Sequence, residues 1–218
     1  MNERFAFDLD LAGRALVAGA DEAGRGCLAG PLVAAAVCFD YSRLDDADFA
    51  ALDALNDSKK LTAERRAALY DEVVRRARHV VVVSWSAASI DRRGLHRCNL
   101  DGLAAALRGV RPRPAVSLVD GFRLPEFEEE HQAVIGGDGR SAAIAAASIV
   151  AKVTRDRAMH RLHERYPAYG FDRHVGYATA AHREAIVTHG TCALHRLSFA
   201  SVAYRRLELP AAEDSATR

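Results

Sequence analysis

Two short apolar runs joined by a glycine-rich turn constrain this chain most. Residues 15–20 and 32–39 are continuous stretches of small and β-branched residues, the pattern of strands buried in a sheet. Between them lie Asp21-Glu22-Ala23-Gly24-Arg25-Gly26 and then Gly30-Pro31. Two adjacent acids therefore stand where a buried strand ends. Such acids can hold a divalent metal, glycines let a backbone approach a polyanion closely, and Arg25 can pair with a phosphate. Metal and phosphate together point to phosphodiester chemistry.

The pattern continues as alternating strands and helices. Residues 61–78 read as a helix with Thr62 as N-cap, and residues 79–86, with four consecutive Val, as a buried strand. Residues 89–108 read as a helix broken or kinked near Gly94 and Gly102, stopped by Arg111-Pro112-Arg113-Pro114. A strand over 115–119 ends at Asp120-Gly121, a short strand covers 132–135, and a long helix covers 141–165 up to Tyr166-Pro167. Residues 172–204 read as a helical, His-rich extension, and 209–218 as a disordered tail. This order gives an α/β class, a catalytic domain over 1–165 and a helical extension over 166–208 packed on it.

The chain of 218 residues carries a net charge of +1, which alone argues neither for nor against a nucleic-acid partner. Its distribution says more. Residues 141–207 hold one Lys and nine Arg against four acids, a net of +6, so the remainder carries −5. A basic C-terminal third beside an acidic remainder suits a polyanion binder that also holds cations. The four Cys (Cys27, Cys38, Cys98, Cys192) form no CxxC pair, residues 1–13 lack a signal-peptide apolar region, and no run approaches the ~18 apolar residues of a membrane span. A cytoplasmic protein with reduced thiols, acting as a monomer away from membranes, is expected.

Asp21 and Asp120 each follow an apolar strand directly, where ligands gather in open α/β sheets. A post-strand Asp also commonly caps a turn, so either acid alone is ambiguous. Asp156 shares a helical stripe with Ile149 and Val153, which aims a carboxylate at the sheet, with a salt bridge to Arg155 or Arg157 as the plainer alternative. Glu22 can join Asp21 only if the strand bends or ends between them, because adjacent strand residues face opposite ways. Four carboxylates favour a hard cation, Mg²⁺ or Mn²⁺. Zinc at His189-x2-Cys192-x2-His195 matches common structural spacings poorly. Ser58, Lys59 and Lys60, in a polar loop before a helix, can sit on phosphate or be merely exposed. Tyr166, Tyr169, Phe171 and Tyr177 interleave with Arg and His. Most are expected to pack the extension, with one or two exposed for stacking.

In order, Asp21-Glu22-Ala-Gly-Arg-Gly26, Asn56-Asp-Ser-Lys-Lys-Leu61, Val119-Asp120-Gly121, Ala146-Ala-Ser-Ile-Val-Ala-Lys-Val-Thr-Arg-Asp156, Tyr169-Gly-Phe-Asp-Arg-His-Val-Gly-Tyr-Ala-Thr179, His182 and His195-Arg-Leu-Ser-Phe199 resemble the type 2 ribonuclease H family, bacterial ribonuclease HII in particular. The resemblance covers about residues 17–199. It implies an RNase H-like fold, a mixed sheet flanked by helices with a helical C-terminal extension. It also implies endonucleolytic cleavage of RNA in RNA–DNA hybrids, including 5′ to a single ribonucleotide in duplex DNA, leaving 3′-hydroxyl and 5′-phosphate ends. By the same resemblance Asp21, Glu22, Asp120 and Asp156 bind the metal, Gly24, Arg25 and Gly26 read the ribose 2′-OH, and Tyr177 stacks at the RNA–DNA junction. The chain departs from the pattern at Ala200-Ser201-Val202, where many relatives place a small residue and then Pro.

Overall fold

A computed structural model describes residues 2–55, 61–200 and 204. The expectations for Ser58, Lys59 and Lys60, and for a tail over 209–218, fall outside these residues.

Five strands form one mixed sheet. β1 (Leu16–Ala23) pairs antiparallel with β2 (Leu32–Asp40), and β2 antiparallel with β3 (His79–Trp85). On the other side β1 pairs parallel with β4 (Val116–Asp120), and β4 parallel with β5 (Gln132–Val134). The order is β3-β2-β1-β4-β5, so β1 is central. Odd-numbered residues of β1 and β2, such as Val17, Val33, Val37 and Phe39, join one core layer, and Ala18, Ala20, Ala34, Ala36 and Cys38 join the other. The period of two thus sends the two faces into separate cores.

Eight helices are among the described residues: α1 (Glu3–Ala12), α2 (Asp46–Ala51), α3 (Ala63–Arg76), α4 (Ala87–Arg93), α5 (Leu95–Gly109), α6 (Ala142–Arg165), α7 (Phe171–His174) and α8 (Ala180–His189). α6 covers the odd face and α5 the even face. Every residue from Ala142 to Ala151 on α6 is buried. A helix that is apolar all round must be enclosed, and small side chains let it lie directly on β1. At Gly19 an added Cβ would overlap the α6 backbone at Ala143 and Ile144, so glycine is required by the close approach. Buried Asp8 of α1 fixes the start of α6 by accepting from the Ala143 amide at 2.9 Å and the Tyr41 hydroxyl at 2.6 Å.

Three features differ from the sequence reading. The break expected near Gly94 is present, with Gly94 at φ +82° between α4 and α5, but the one expected near Gly102 is not, and α5 runs straight through it. α1 was not expected; the Asn2 side chain caps it by accepting from the Arg4 and Phe5 amides. The extension is less helical than anticipated, with α7 and α8 separated and followed by turns that reach back to the loop after β1. No described helix is long and apolar enough to cross a membrane.

Candidate active site

β1 runs on through Ala23 without a break, and its register with β2 is regular to Ala23↔Val33. Asp21 and Glu22 therefore leave opposite faces, contrary to the idea that they share a site by a bend between them. Asp21 points under α6, where the Ser148 hydroxyl meets its carboxylate and the Glu22 amide donates to Oδ1 at 2.7 Å. Glu22 points toward α5 and Asn99. Asp120 ends β4, one step beyond the Ala20↔Val119 pair, and its Oδ1 accepts from the Gly137 amide at 2.7 Å. The three acids flank the ends of two adjacent parallel strands, so Asp120 repels both Asp21 and Glu22.

The electrostatics are those of a site short of positive charge. Asp21 is 6% exposed, and burial pushes its pKa well above the ordinary carboxylate range, with the Glu22 and Asp120 charges adding to the rise. Burial also raises Glu22, partly offset by Arg25, whose Nη1 donates to Oε1 at 3.3 Å. Glu22 Oε2 is buried without a hydrogen-bond partner, and so are both amide atoms of Asn99 beside it. An unpartnered buried carboxylate oxygen is costly and suits a hard cation as its missing partner. Among the described residues no three His, Cys, Asp or Glu side chains close around a common ion position.

Asp156 departs from the sequence expectation of an unpaired acid facing the sheet. Its carboxylate accepts from Lys152 Nζ at 2.8 Å, and its side chain is 22% exposed. The partner is one helical turn back, not the flanking Arg155 or Arg157. Lys152 Nζ also lies 5.5 Å from the centre of the Tyr177 ring. Tyr177 is 39% exposed and its hydroxyl meets the buried Cys27 thiol. Tyr169 and Phe171, by contrast, are buried and stacked on each other at 5.5 Å, the packing role expected for most of these aromatics.

The two glycines around Arg25 differ. Gly24 has φ +96°, and a Cβ there would overlap the Arg155 Nε and come within 2.8 Å of the Pro31 carbonyl oxygen. Gly26 has no atom within 4 Å of the place a Cβ would take. Gly24 is thus required by what lies beneath the turn, and the space in front of Gly26 is open. Arg25 stacks its guanidinium over Phe122, 4.8 Å from the ring centre.

Residues 18–202 match the family model for ribonuclease HII. The ribonuclease HII of Delftia acidovorans is 51% identical over 189 residues, covering 87% of this chain and 77% of its own. That of Azorhizobium caulinodans is 52% identical over 197 residues, covering 90% and 73%. The chain belongs to the ribonuclease HII family. It is a ribonuclease H, a nuclease of a metal-dependent family that acts on RNA–DNA hybrids. The fold agrees: the crystal structure of the ribonuclease H2 from Pyrococcus horikoshii OT3 superposes with a TM-score of 0.72 at 26% identity, covering 88% of this chain and 97% of that one.

Two residues that hold the turn beside the acids escaped the sequence reading. Arg155 and Arg196 are fully buried and point at the turn 24–31. Arg196 entered only as part of a motif, and Arg155 as part of another and as an ion-pair alternative for Asp156. The usable signal was Arg155 itself, a charge on the helix whose neighbours Ala151 and Val153 are apolar. The weighed zinc spacing does not assemble either. His195 Nδ1 lies 3.3 Å from Cys192 Sγ and its Nε2 3.2 Å from His182 Nε2, while His189 sits apart against Tyr169. Burial lowers the pKa of His195, and that of His182 to about 4. These rings are packed into a small apolar cluster with Phe171.

Proposed function

We propose that this ribonuclease H cuts the RNA strand of hybrids and also cuts 5′ to a single ribonucleotide embedded in duplex DNA, leaving 3′-hydroxyl and 5′-phosphate ends. One observation carries the reading. Two desolvated carboxylates, Asp21 and Glu22, stand beside a third, Asp120, that repels both, next to a turn whose Gly26 side is open. A nuclease working through cations needs charge that is tolerable only once metal and phosphate arrive together.

Asp21, Glu22 and Asp120 would hold Mg²⁺ or Mn²⁺, with Asp156 supplied from α6 once Lys152 turns to the nucleic acid. Such ions supply an activated water and a neutralised leaving oxygen. The chain's own groups do the rest. Backbone around Gly24, Arg25 and Gly26 meets the ribose 2′-OH, the group that distinguishes RNA from DNA. The exposed Tyr177 ring stacks on the sugar beyond and holds the scissile phosphate in register. Lys152, near both Asp156 and Tyr177, neutralises the backbone between them, and Lys59, Lys60 and Ser58 are assigned phosphate contacts from the motif alone. The catalytic unit is residues 1–165 and the extension 166–208 completes the substrate path. On this reading the enzyme acts as a monomer.

The test is cleavage of three labelled duplexes: a full hybrid, DNA with one ribonucleotide, and all-DNA, with the product ends mapped. Cutting of the first two only, 5′ to the lone ribonucleotide, is expected. An uncut single-ribonucleotide duplex overturns the finer reading and leaves hybrid cleavage standing.

A further inference from the structure

The turn 24–31 is held chiefly by guanidinium groups. Arg196 donates from Nε and Nη2 to the Gly30 carbonyl at 3.1 and 2.9 Å, and from Nη1 to the Gly24 and Arg25 carbonyls at 2.7 and 3.1 Å. Arg155 donates from Nε to the Pro31 carbonyl at 2.9 Å and from Nη2 to the Ala29 carbonyl at 3.1 Å. Five carbonyls of one turn are thus drawn inward onto two buried cations. The backbone is closed from the other side by the extension: the Leu28 amide donates to the Gly176 carbonyl at 2.9 Å, the Gly30 amide to the Leu194 carbonyl at 2.8 Å, and the Arg196 amide to the Leu28 carbonyl at 2.8 Å.

A planar guanidinium presents several donors in a fixed fork, which an ammonium cannot. Two such forks dictate where each carbonyl lies, and therefore which backbone groups remain on the open side near Gly26. Neither arginine is placed to meet nucleic acid, since both are fully buried. Arg155 also precedes Asp156 on α6, so one helical step carries an acid of the site and the strut of the turn. We propose that Arg155 and Arg196 are positioning residues that shape the 24–31 turn and thereby set the enzyme's selectivity for a ribonucleotide flanked by DNA. The selectivity part rests on the reading of this turn as the 2′-OH reader.

The variants are Arg196→Lys and Arg155→Lys in the full chain, which keep the charge and lose the fork. Each is measured at a temperature where its far-UV circular dichroism is native. Two readouts are taken. Hydrogen exchange at the Leu28, Ala29 and Gly30 amides reports the shape of the turn. The ratio of kcat/KM on single-ribonucleotide duplex to kcat/KM on full hybrid reports selectivity. Exchange at those amides is expected to speed up by at least about tenfold, and the ratio to fall by about tenfold, one such factor per ~1.4 kcal/mol of differential positioning. Unchanged exchange overturns the shaping role. Faster exchange with both substrates slowed by one common factor overturns the selectivity role and leaves the arginines as structural struts. If the unmodified enzyme does not cut the single-ribonucleotide duplex, the reader assignment fails, while the exchange result still decides whether the arginines shape the turn.

Discussion

The strand-end acids and the turn beside them are built on opposite principles. Asp21 and Asp120 are placed by a regular backbone ladder, and their charges are left uncompensated at the ends of β1 and β4. The turn 24–31 has no ladder of its own, and its carbonyls are saturated by Arg155 and Arg196. The difference teaches where stability and activity reside. The buried charge of Asp21 costs stability in the absence of cation and should be removable without loss of fold. The turn contributes stability, and a change inside it acts on the fold first. Each prediction below breaks this contrast if it fails.

The largest effect belongs to the acids. Asp21→Asn and Asp120→Asn should each lower kcat by about a hundredfold to a thousandfold or more, the range for deleting one group that stabilises transition-state charge. In metal-free buffer Asp21→Asn should melt higher than the unmodified protein. The sign follows from linkage. The folded pKa of Asp21 is raised above the ordinary value of 3.8, so the folded state holds its proton longer than the unfolded chain does. Below pH 3.8 the group has no effect, and stability is lost as pH rises through the folded pKa. The melting advantage of Asp21→Asn should therefore grow from pH 4 upward. Differential scanning at several pH values checks it, and a lower melting temperature at pH 7 would place Asp21 among the stabilising groups.

The two glycines of the turn divide along the same line. Gly24→Ala should destabilise by about 1–3 kcal/mol or more, because φ +96° is strained for alanine and the new methyl meets Arg155. Gly26→Ala should leave the unfolding free energy within about 0.5 kcal/mol of the original, as an open surface site does. It should nevertheless slow cleavage, since on the proposed reading its methyl projects where the nucleic acid approaches. Chemical denaturation beside kcat/KM on both substrates separates them. Equal melting temperatures for the two variants would sink the claim that Gly24 is held from beneath.

How far this was legible in the sequence differs between the same two regions. The buried strands, the post-strand acids Asp21 and Asp120 and the break at Gly94 follow from local patterns, because strand burial and a helix-breaking φ are decided by near neighbours. The family motifs further named Glu22, Asp156, Gly24, Arg25, Gly26 and Tyr177. The turn's supports were not legible. Arg196 reaches Gly24 across 172 positions and Arg155 reaches Pro31 across 124, and no periodicity encodes a contact of that range. The local surroundings of Glu22 and Asp156 were not legible for one shared reason. Each carboxylate has a cationic partner, Arg25 for one and Lys152 for the other, and an apolar stripe does not reveal it.

The histidines behind the turn give a smaller, graded effect. His182 and His195 are neutral and in contact, with the His182 pKa lowered to about 4 from 6.5. Between those values the unfolded chain binds a proton that the folded one refuses, so stability falls as pH drops from about 6.5 to 4 and is unaffected above that window. Acid should therefore loosen the extension and, through it, the Leu28 and Gly30 amides held by Gly176 and Leu194. Exchange at those amides should speed up at pH 5 relative to pH 7 after correction for intrinsic rates, more than at amides of β1. A uniform change across the molecule would show that the extension and turn do not open as a unit.

The smallest stability effect is at Asp156, and it tests which side of the contrast this acid belongs to. Read as an unpaired acid on an apolar stripe, Asp156→Asn would raise the metal-free melting temperature, as Asp21→Asn should. Paired to Lys152 at 2.8 Å and partly exposed, it should do the reverse by only about 0.3–0.5 kcal/mol, the worth of an i,i+4 ion pair on a helix. A double-mutant cycle with Lys152→Met isolates that term. The coupling should shrink in high salt, since the pair is open to solvent on one side. Activity should fall far more than stability, because on the proposed reading Asp156 leaves Lys152 to serve the cations and Lys152 is then free for phosphate. A melting temperature raised as much as that of Asp21→Asn would move Asp156 into the uncompensated group. A coupling near zero would show that the lysine does not hold the acid in reserve.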